Sequence, residues 1–249
     1  MRTLIATIAG AAAFLVAASA SAQDLGISAD DFYGEASLTS DYRFRGVSLT
    51  QNDPSIGGEL GFDNGFLYGG VGGNSINVTP FESTSLELFG FAGVHFNQDF
   101  GNTSLGFDFG VEYTDFYGGP SWLPDLDYWE LHAGATTSIL FLDVGGTISY
   151  SPDFIGGSGD SWTYEGNAGF TVWDDYNVRV GGTVGQTSID QAPAPFDDWM
   201  YYSVGLSAEV WGFDVSAEWV DTDIETNMVP TMFTDSVDGG LVFTISRSF

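Results

Sequence analysis

The chain has 249 residues, a formal net charge of −29 and no cysteine. Such an acidic chain repels the phosphates of nucleic acids, so we expect no nucleic-acid partner. The absence of cysteine excludes disulfides and thiolate metal sites. With only two histidines, a histidine-rich metal site is disfavoured, and we expect no cofactor.

The N-terminus has the pattern of a secretory signal peptide over residues 1–22. Arg2 is followed by an apolar, alanine-rich run, and the segment ends with the small residues of Ala20-Ser21-Ala22. A retained anchor helix is the alternative, but the apolar run is short for a membrane span. We therefore expect export and a single domain over residues 23–249.

From residue 32 onward, apolar and polar residues alternate with a period of two. Leu105, Phe107 and Phe109, for example, alternate with Gly106 and Asp108. This period indicates β-strands with two different faces, and the chain carries about twelve such segments. In chain order, the predicted strands cover residues 32–45, 55–63, 66–74, 85–96, 103–114, 127–137, 142–151, 161–172, 176–185, 198–210, 213–222 and 236–249.

The connections between these strands alternate between short turns and longer polar loops. Asn64-Gly65 and Trp211-Gly212 are short turns, whereas residues 46–54 and 115–126 form longer loops. Short periplasmic turns and longer extracellular loops are typical of outer-membrane barrels. The sequence therefore predicts an all-β fold, a transmembrane antiparallel up-and-down β-barrel of about twelve strands.

A secreted soluble barrel or sandwich would also show this alternation, with its apolar face turned inward. The aromatic residues favour the membrane barrel, because they cluster near predicted strand ends, as girdle residues do at bilayer interfaces. They are Phe66, Phe141, Trp173 and Trp211 near the turns, and Tyr113, Phe116, Trp129, Trp199 and Trp219 near the loops.

The terminal Phe249 closes an alternating last strand, and it is similar to the assembly signal of bacterial outer-membrane proteins. We therefore expect the outer-membrane assembly machinery to recognise this end of the chain. The other expected partners are outer-membrane lipid and lipopolysaccharide. We expect the barrel to be a monomer in the bacterial outer membrane.

One motif carries a family resemblance. The run Leu38-Thr-Ser-Asp-Tyr-Arg-Phe-Arg-Gly-Val-Ser48, followed by Pro54 and glycine-rich strands, resembles the start of the TorF family of porin-like proteins, also called the Gcw_chp domain. Tyr150-Ser-Pro-Asp-Phe154, Val220-Asp-Thr-Asp223 and the Ser-Arg-Ser-Phe ending fit the same family. The resemblance implies an outer-membrane barrel and, only loosely, transport. Members commonly carry lysine in the last strand, and this chain has none.

The predicted first strand places Tyr42 and Phe44 on its apolar parity and Asp41, Arg43 and Arg45 on the other. An arginine facing the bilayer midplane would cost about 2–4 kcal/mol, so these charges are predicted to face the lumen. The full set of lumen or constriction candidates is Asp41, Arg43, Arg45, Glu59, Glu87, Asp108, Glu112, Glu130, His132, Glu165 and Arg179, and Asp143, Glu209 and Glu218 share the inward parity.

Two interpretations of the inward arginines stay open. Charges at a narrow point of a pore set ion selectivity. Arginines paired with carboxylates can instead fill a barrel, and twelve strands lie between filled barrels of about eight and porins of about sixteen. The acidic excess predicts a narrow, cation-preferring channel for passive diffusion of ions or small polar solutes. The alternative is a structural or adhesive outer-membrane barrel with a plugged lumen and no channel activity.

Two further groups are weaker candidates. Asp221, Asp223 and Glu225 could bind Ca²⁺, although they lack the ligand pattern of a dedicated calcium loop. His132, with Glu130 and Ser138 nearby in sequence, is the candidate for a hydrolase, but no nucleophile-elbow signature is present. We therefore expect that the protein is not an enzyme.

Overall fold

The computed structural model describes residues 28–77, 86–101, 103–118, 126–190, 198–225 and 234–249. The predicted signal peptide over residues 1–22 lies outside these ranges. In the described part of the chain, no helix is long and apolar enough to cross a membrane.

Twelve antiparallel strands close into one barrel, in which neighbours along the chain pair and the first strand pairs with the last. This confirms the predicted fold. The strands, two of which lie outside the barrel wall, are β1 (Phe32–Thr39), β2 (Arg43–Phe44), β3 (Val47–Ser48), β4 (Ser55–Asp63), β5 (Leu67–Ser75), β6 (Leu86–Phe100), β7 (Thr103–Tyr117), β8 (Tyr128–Ile139), β9 (Leu142–Ser151), β10 (Ser161–Trp173), β11 (Val178–Ile189), β12 (Trp199–Val210), β13 (Phe213–Thr222) and β14 (Gly240–Ser248).

Strands β2 and β3 pair only with each other, in a hairpin separate from the wall. The helices of the described chain are short: 3₁₀ turns at Ala29–Asp31 and Asp174–Tyr176, and one α-helical turn at Thr234–Val237. We call the end of the barrel with the short connections the turn end, and the opposite end the loop end.

The prediction of the first strand is wrong in one respect. Residues 32–45 do not form one strand, because β1 ends at Thr39 and the chain then folds back through the β2–β3 hairpin. The physical reason lies in the turn between them, where Arg45 and Gly46 have φ of 49° and 87°. Both residues of a two-residue type I′ turn need positive φ, and a continuing strand does not have it.

Several other predicted bounds change, and β11, predicted to end at residue 185, continues to Ile189. The last predicted strand, residues 236–249, begins only at Gly240, because the preceding residues form the helical turn. Strand β6, predicted to end at residue 96, continues to Phe100, which pairs with Thr103.

The outer face of the wall is apolar. In the middle of β12, Val204 and Leu206 are 57% and 53% exposed, and Ile56 on β4 is 69% exposed. A soluble barrel would turn these side chains inward, whereas a bilayer satisfies them on the outside. Trp211 and Phe141 are largely exposed at the turn end, as girdle residues are.

Trp199 and Phe116, in contrast, are not girdle residues. Trp199 is 7% exposed and belongs to a cluster inside the loop end with Tyr128, Phe154 and Tyr201. Phe116 packs against the same cluster. The main apolar core of the described chain therefore fills part of the barrel mouth.

The opposite faces of β12 provide a direct test of the lipid-facing assignment. We expect Val204→Arg to lower the free energy of unfolding in lipid vesicles by about 2–4 kcal/mol, because the charge would face the bilayer interior. Denaturant titration of the refolded barrel measures this value. The adjacent Ser203→Arg, whose side chain faces the lumen, is the matched control and should cost clearly less. Equal losses for both variants would contradict the assignment.

Candidate functional site

The segment that leads from β1 to β4 lies inside the barrel mouth. Thr39 and Ser55 are register partners on adjacent strands, yet residues 40–54 connect them through a long excursion. We call residues 40–54 the inward loop. It carries Arg43 and Arg45, so these arginines stand on a loop within the lumen and not on the barrel wall.

Asp41 organises the inward loop from within. The residue is 5% exposed, and its carboxylate accepts hydrogen bonds from Ser48 Oγ, Thr50 Oγ1 and Arg43 Nε. Carboxylates that accept several hydrogen bonds stay charged at low cost, and the Arg43 partner adds a charge-assisted bond. The charge of Arg43 is therefore neutralised inside the loop, not by an acid across the pore.

Arg43 also ties the loop to the loop end of the barrel. Its Nη1 donates to the carbonyl of Asp238 at 2.8 Å, and its Nη2 donates to Asn52 Oδ1 at 2.8 Å. Asn52 Nδ2 in turn donates to the carbonyl of Asp235, in the helical turn before β14, at 2.9 Å.

The tip of the loop is the two-residue turn Arg45-Gly46. A non-glycine residue at positive φ is unfavourable and persists only where its surroundings hold it. Gly46 is packed so closely that a Cβ atom there would lie 2.9 Å from Tyr201 Cβ and 3.0 Å from the carbonyl oxygen of Asp221. The tip is therefore pressed against the wall formed by β12 and β13.

Arg45 binds the wall on two sides. Its Nη2 lies 2.7 Å from both carboxylate oxygens of Glu130 on β8, and its carbonyl accepts from Trp199 Nε1 on β12 at 3.0 Å. The guanidinium also lies over the rings of Phe44 and Phe154, 4.8 Å and 5.5 Å from their centroids. Such placement adds cation–π attraction to the ion pair.

Glu130 needs a cation beside it because another glutamate lies directly opposite on the neighbouring strand. Glu130 on β8 and Glu112 on β7 are register partners and both face the lumen. Like charges directly opposite on adjacent strands are destabilising. Arg45 supplies the opposite charge, and Glu112 accepts a further hydrogen bond from Thr114 Oγ1.

Tyr42 attaches the inward loop to a third part of the wall. Its hydroxyl donates to Glu87 Oε2 on β6 at 2.7 Å, and Asn74 on β5 donates to the same oxygen. Burial, with the charge of Glu87 next in importance, raises the pKa of Tyr42. The hydroxyl therefore remains a donor at any physiological pH.

On the β4–β8 side, lumen aromatics lie over glycines of neighbouring strands. A Cβ at Gly72 would meet the Phe89 ring, and one at Gly70 would meet the Phe91 ring. Tyr33 crosses Gly61 and donates to Glu59 at 2.6 Å. Glycine at these wall positions is what lets the rings lie against the sheet.

His132 belongs to a polar group on the same side. Its Nε2 lies 2.7 Å from Asp108 Oδ1 and 3.1 Å from Tyr68 Oη. Ser138, the candidate nucleophile, donates instead to Asp143 at 2.6 Å. The structure therefore places His132 with Asp108 and Tyr68, and it does not join His132, Glu130 and Ser138 in one hydrogen-bonded chain.

Arg179 lies apart from the other two lumen arginines, towards the turn end. From β11 it reaches over β10 to bind Asp143 on β9 at 2.6 Å, and it donates to Thr171 at 3.2 Å. Its side chain is more than a third exposed. The three lumen arginines thus pair with three different carboxylates and do not form a single ring.

Two cavities lie in the lumen, and we call the one nearer the loop end the upper cavity and the other the lower cavity. The upper cavity, about 470 Å³, is bounded by the inward loop and by β1, β4 and β10–β14, with Glu35, Glu165 and Glu218 among its lining residues. The lower cavity, about 350 Å³, lies along β9–β13 and is lined by Asp143, Arg179 and Glu218 among others. Glu209, the remaining inward-parity candidate, lines neither of the two.

The calcium candidates do not form a ligand cluster. Asp221 accepts from the Tyr202 hydroxyl at 3.1 Å, and Asp223 accepts from the backbone N–H of Met200 at 2.7 Å. Within the ranges that the structure covers, no group of histidine, aspartate and glutamate side chains is arranged to hold a metal ion.

The sequence patterns did not predict the roles of Tyr42, Phe44 and Trp199 inside the barrel. Alternation assigned the first two to lipid, and proximity to a strand end assigned Trp199 to the girdle. One local signal was available: Arg45-Gly46 is followed by Ser48 and Thr50, small hydroxyl residues that favour turns by bonding to nearby groups.

Comparison with known proteins gives a family and a fold. The profile of a family described as "Bacterial protein of unknown function (Gcw_chp)" matches residues 23–249. This agrees with the Gcw_chp part of the sequence resemblance, while the TorF name stays a resemblance. No curated protein matches the chain.

Several solved structures are similar to this chain. The NanC porin is similar with a TM-score of 0.54 and 8% identity, over 86% of this chain and 97% of that one. LpxR from Salmonella typhimurium has a TM-score of 0.47 and 11% identity, over 87% and 99% of the two chains. OccK11 (OpdR) from Pseudomonas aeruginosa has a TM-score of 0.44 and 8% identity, over 86% and 63%. Identities this low concern the fold alone.

The anchoring of the inward loop can be tested with trypsin, because the chain contains five basic residues and all are arginine. Arg43 and Arg45 have side chains only 4% and 10% exposed, so the folded wild type should resist cleavage there. Glu130→Gln removes the partner of Arg45, and breaking a buried ion pair on one side costs about 3–5 kcal/mol. The variant should release the loop and be cut after Arg43 or Arg45.

The readout is the fragment that begins at Phe44 or Gly46, seen by mass spectrometry after denaturation of the digested barrel. Glu59→Gln is the matched control, because Glu59 bonds to Tyr33 on the wall and does not touch the loop. Equal resistance of Glu130→Gln and wild type would show that this ion pair does not hold the loop.

Proposed function

The chain belongs to the Gcw_chp family, and we propose that it forms a narrow channel in the bacterial outer membrane for passive diffusion of ions or small polar solutes. The observation that carries this proposal is the polar cavity of about 470 Å³ inside the barrel. A barrel with a packed interior would leave no such space. Similarity to the NanC porin supports the barrel but says nothing about the solute.

The inward loop makes the proposed channel narrow. Its tip contacts β8 through Glu130 and β12 through Trp199, and Tyr42 contacts β6. A loop that starts on β1 and touches these strands crosses the mouth of the barrel. Solutes must pass beside it, so the loop limits the size of what can enter.

The charge balance of the lumen supports a preference for cations. Arg43, Arg45 and Arg179 are each already paired with a carboxylate. Glu35, Glu165 and Glu218 line the upper cavity, and none has an arginine or histidine partner among the described residues. Fixed negative charge along a pore favours cations and opposes anions.

A closed structural or adhesive barrel is the second candidate, and one observation favours it. The inward loop is fixed at the mouth by Arg43, Arg45 and Tyr42, and the apolar cluster around Trp199 seals part of the same end. A loop held this firmly could leave the lumen closed to solutes. For either candidate function, we propose that the protein is not an enzyme.

We also propose how the barrel is assembled in the outer membrane and what it contacts there. The C-terminal Phe249 pairs with Gly34 through two backbone hydrogen bonds of 2.9 Å, and its ring covers that glycine. The proposed recognition by the assembly machinery would precede this closure of the barrel. We propose a monomer whose apolar belt contacts lipid and lipopolysaccharide.

Planar-bilayer recording of the refolded protein tests the channel proposal. We expect discrete conductance steps and, under a salt gradient, a reversal potential that indicates cation preference, because unpaired carboxylates line the cavity. An anion-selective potential would overturn the cation preference. No steps, from protein shown to be a folded barrel by its heat-dependent gel mobility, would overturn the channel and favour the closed barrel.

A further inference from the structure

The two lumen cavities lie along one side of the barrel and share part of their lining. The upper cavity reaches from the inward loop down β12–β14, and the lower cavity continues along β9–β13 towards the turn end. Thr183 on β11 and Glu218 on β13 line both. The two cavities therefore adjoin at these residues.

The other side of the lumen is built differently. On β5 and β6, the centroid of the Phe91 ring lies 6.1 Å from that of Tyr68 and 6.4 Å from that of Phe89, so the three rings form an aromatic lining. Asp108 and His132 are bonded to each other beside it. None of these five residues lines either cavity. The two cavities are thus off-centre: both are lined by β10–β13, and the upper cavity also touches β14, β1, β4 and Asn74 on β5.

Glu218 differs from the other carboxylates that line the two cavities, all of which accept hydrogen bonds from side chains. Glu165 accepts from the Tyr201 hydroxyl at 2.7 Å, and Glu35 accepts from Ser248 at 3.3 Å. Asp143 is paired with Arg179. Across the described chain, no side chain donates a hydrogen bond to Glu218 and no arginine or histidine pairs with it.

The neighbour of Glu218 leaves its side chain room. Gly205 on β12 is its register partner, and a Cβ at Gly205 would lie only 2.9 Å from the Cα and Cβ of Glu218. A larger residue there would displace Glu218. Glycine therefore allows this carboxylate to stand where the two cavities meet.

We propose that solutes cross the barrel along the β10–β14 wall and that Glu218 is the carboxylate that selects cations on this path. The inference rests on the proposed channel function and deepens it. A cation that leaves the upper cavity meets a carboxylate with no competing protein donor. The charge and the hydration shell of the cation then interact directly with Glu218, whereas an anion is repelled at the same point.

The first experiment compares Glu218→Gln with Glu59→Gln in planar bilayers. Both variants remove one lumen carboxylate of the same size, but Glu59 lies under Tyr33 on the aromatic side and lines neither cavity. One unit charge about 5 Å from an ion at the dielectric constant of water changes the permeability of that ion about fourfold. Because the charge acts in opposite directions on the cation and the anion, we expect the cation-to-anion permeability ratio of Glu218→Gln to fall about sixteenfold. Glu59→Gln should change the ratio much less.

Equal ratios for the two variants, in a protein that conducts, would overturn the role of Glu218 while leaving the channel proposal intact. No conductance in the wild type would instead count against the channel proposal. A second experiment keeps the path itself testable in that case, because it does not depend on conduction.

The second experiment uses the absence of cysteine in the chain. Ser203→Cys in the upper cavity and Ser216→Cys in the lower cavity should both react with a small cationic methanethiosulfonate reagent in the folded barrel. Ser151→Cys, at a position that is fully buried and lines neither cavity, is the control and should not react. Mass spectrometry counts the labelled fraction. If Ser203→Cys and Ser216→Cys remain as unreactive as the control, no water-filled path follows this wall and the inference fails.

Discussion

The ion pair between Arg45 and Glu130 is the contact on which the rest of the lumen depends. Taking two charges out of water costs free energy, and the pair is favourable only if its geometry is good and further bonds satisfy it. Here Arg45 Nη2 reaches both oxygens of Glu130, the guanidinium lies over two aromatic rings, and the Arg45 carbonyl is bound by Trp199. Arg45 Nη1 is buried without a hydrogen-bond partner in the described chain, so the ring contacts and the ion pair hold this end of the guanidinium. The strained positive φ of Arg45 is held by these contacts, and so the loop stays in the mouth.

The barrel wall makes this arrangement possible. A span in lipid must satisfy its backbone internally, which the closed antiparallel sheet does, and its period of two sends apolar side chains out and polar ones in. The inward acids would repel one another without compensation. The inward loop brings two of the chain's few cations to them, with Asp41 carried along to neutralise Arg43. Glycines let the lumen aromatics on the β4–β8 side lie against the sheet, and the two cavities lie mainly along β10–β14.

Alternation and loop spacing predicted the barrel, its strand number and most strand bounds, because these depend on local period and turn residues. The site was harder to predict. Glu130, Arg45 and Glu87 were identified as lumen residues, but their partners are far apart in sequence, and no pattern pairs residue 45 with residue 130. Tyr42 and Phe44 follow the lipid parity of β1 and yet lie in the lumen, since tertiary contacts, not period, decide where the chain leaves the sheet. The cavity beside Glu218 is bounded by side chains from strands far apart in sequence, and a sequence period does not encode that packing.

The central claim is that the inward loop sets the width of the pore, and shortening that loop tests it most directly. Because Thr39 and Ser55 are register partners, residues 40–54 can be replaced by a short Asn-Gly-containing turn that joins β1 to β4. The measurement is single-channel conductance with neutral polymers of increasing size, on barrels whose folding is first shown by heat-dependent gel mobility. The account predicts a higher conductance and a larger polymer cut-off for the shortened barrel. An unchanged cut-off would contradict it, because the narrowest point would then lie elsewhere in the lumen.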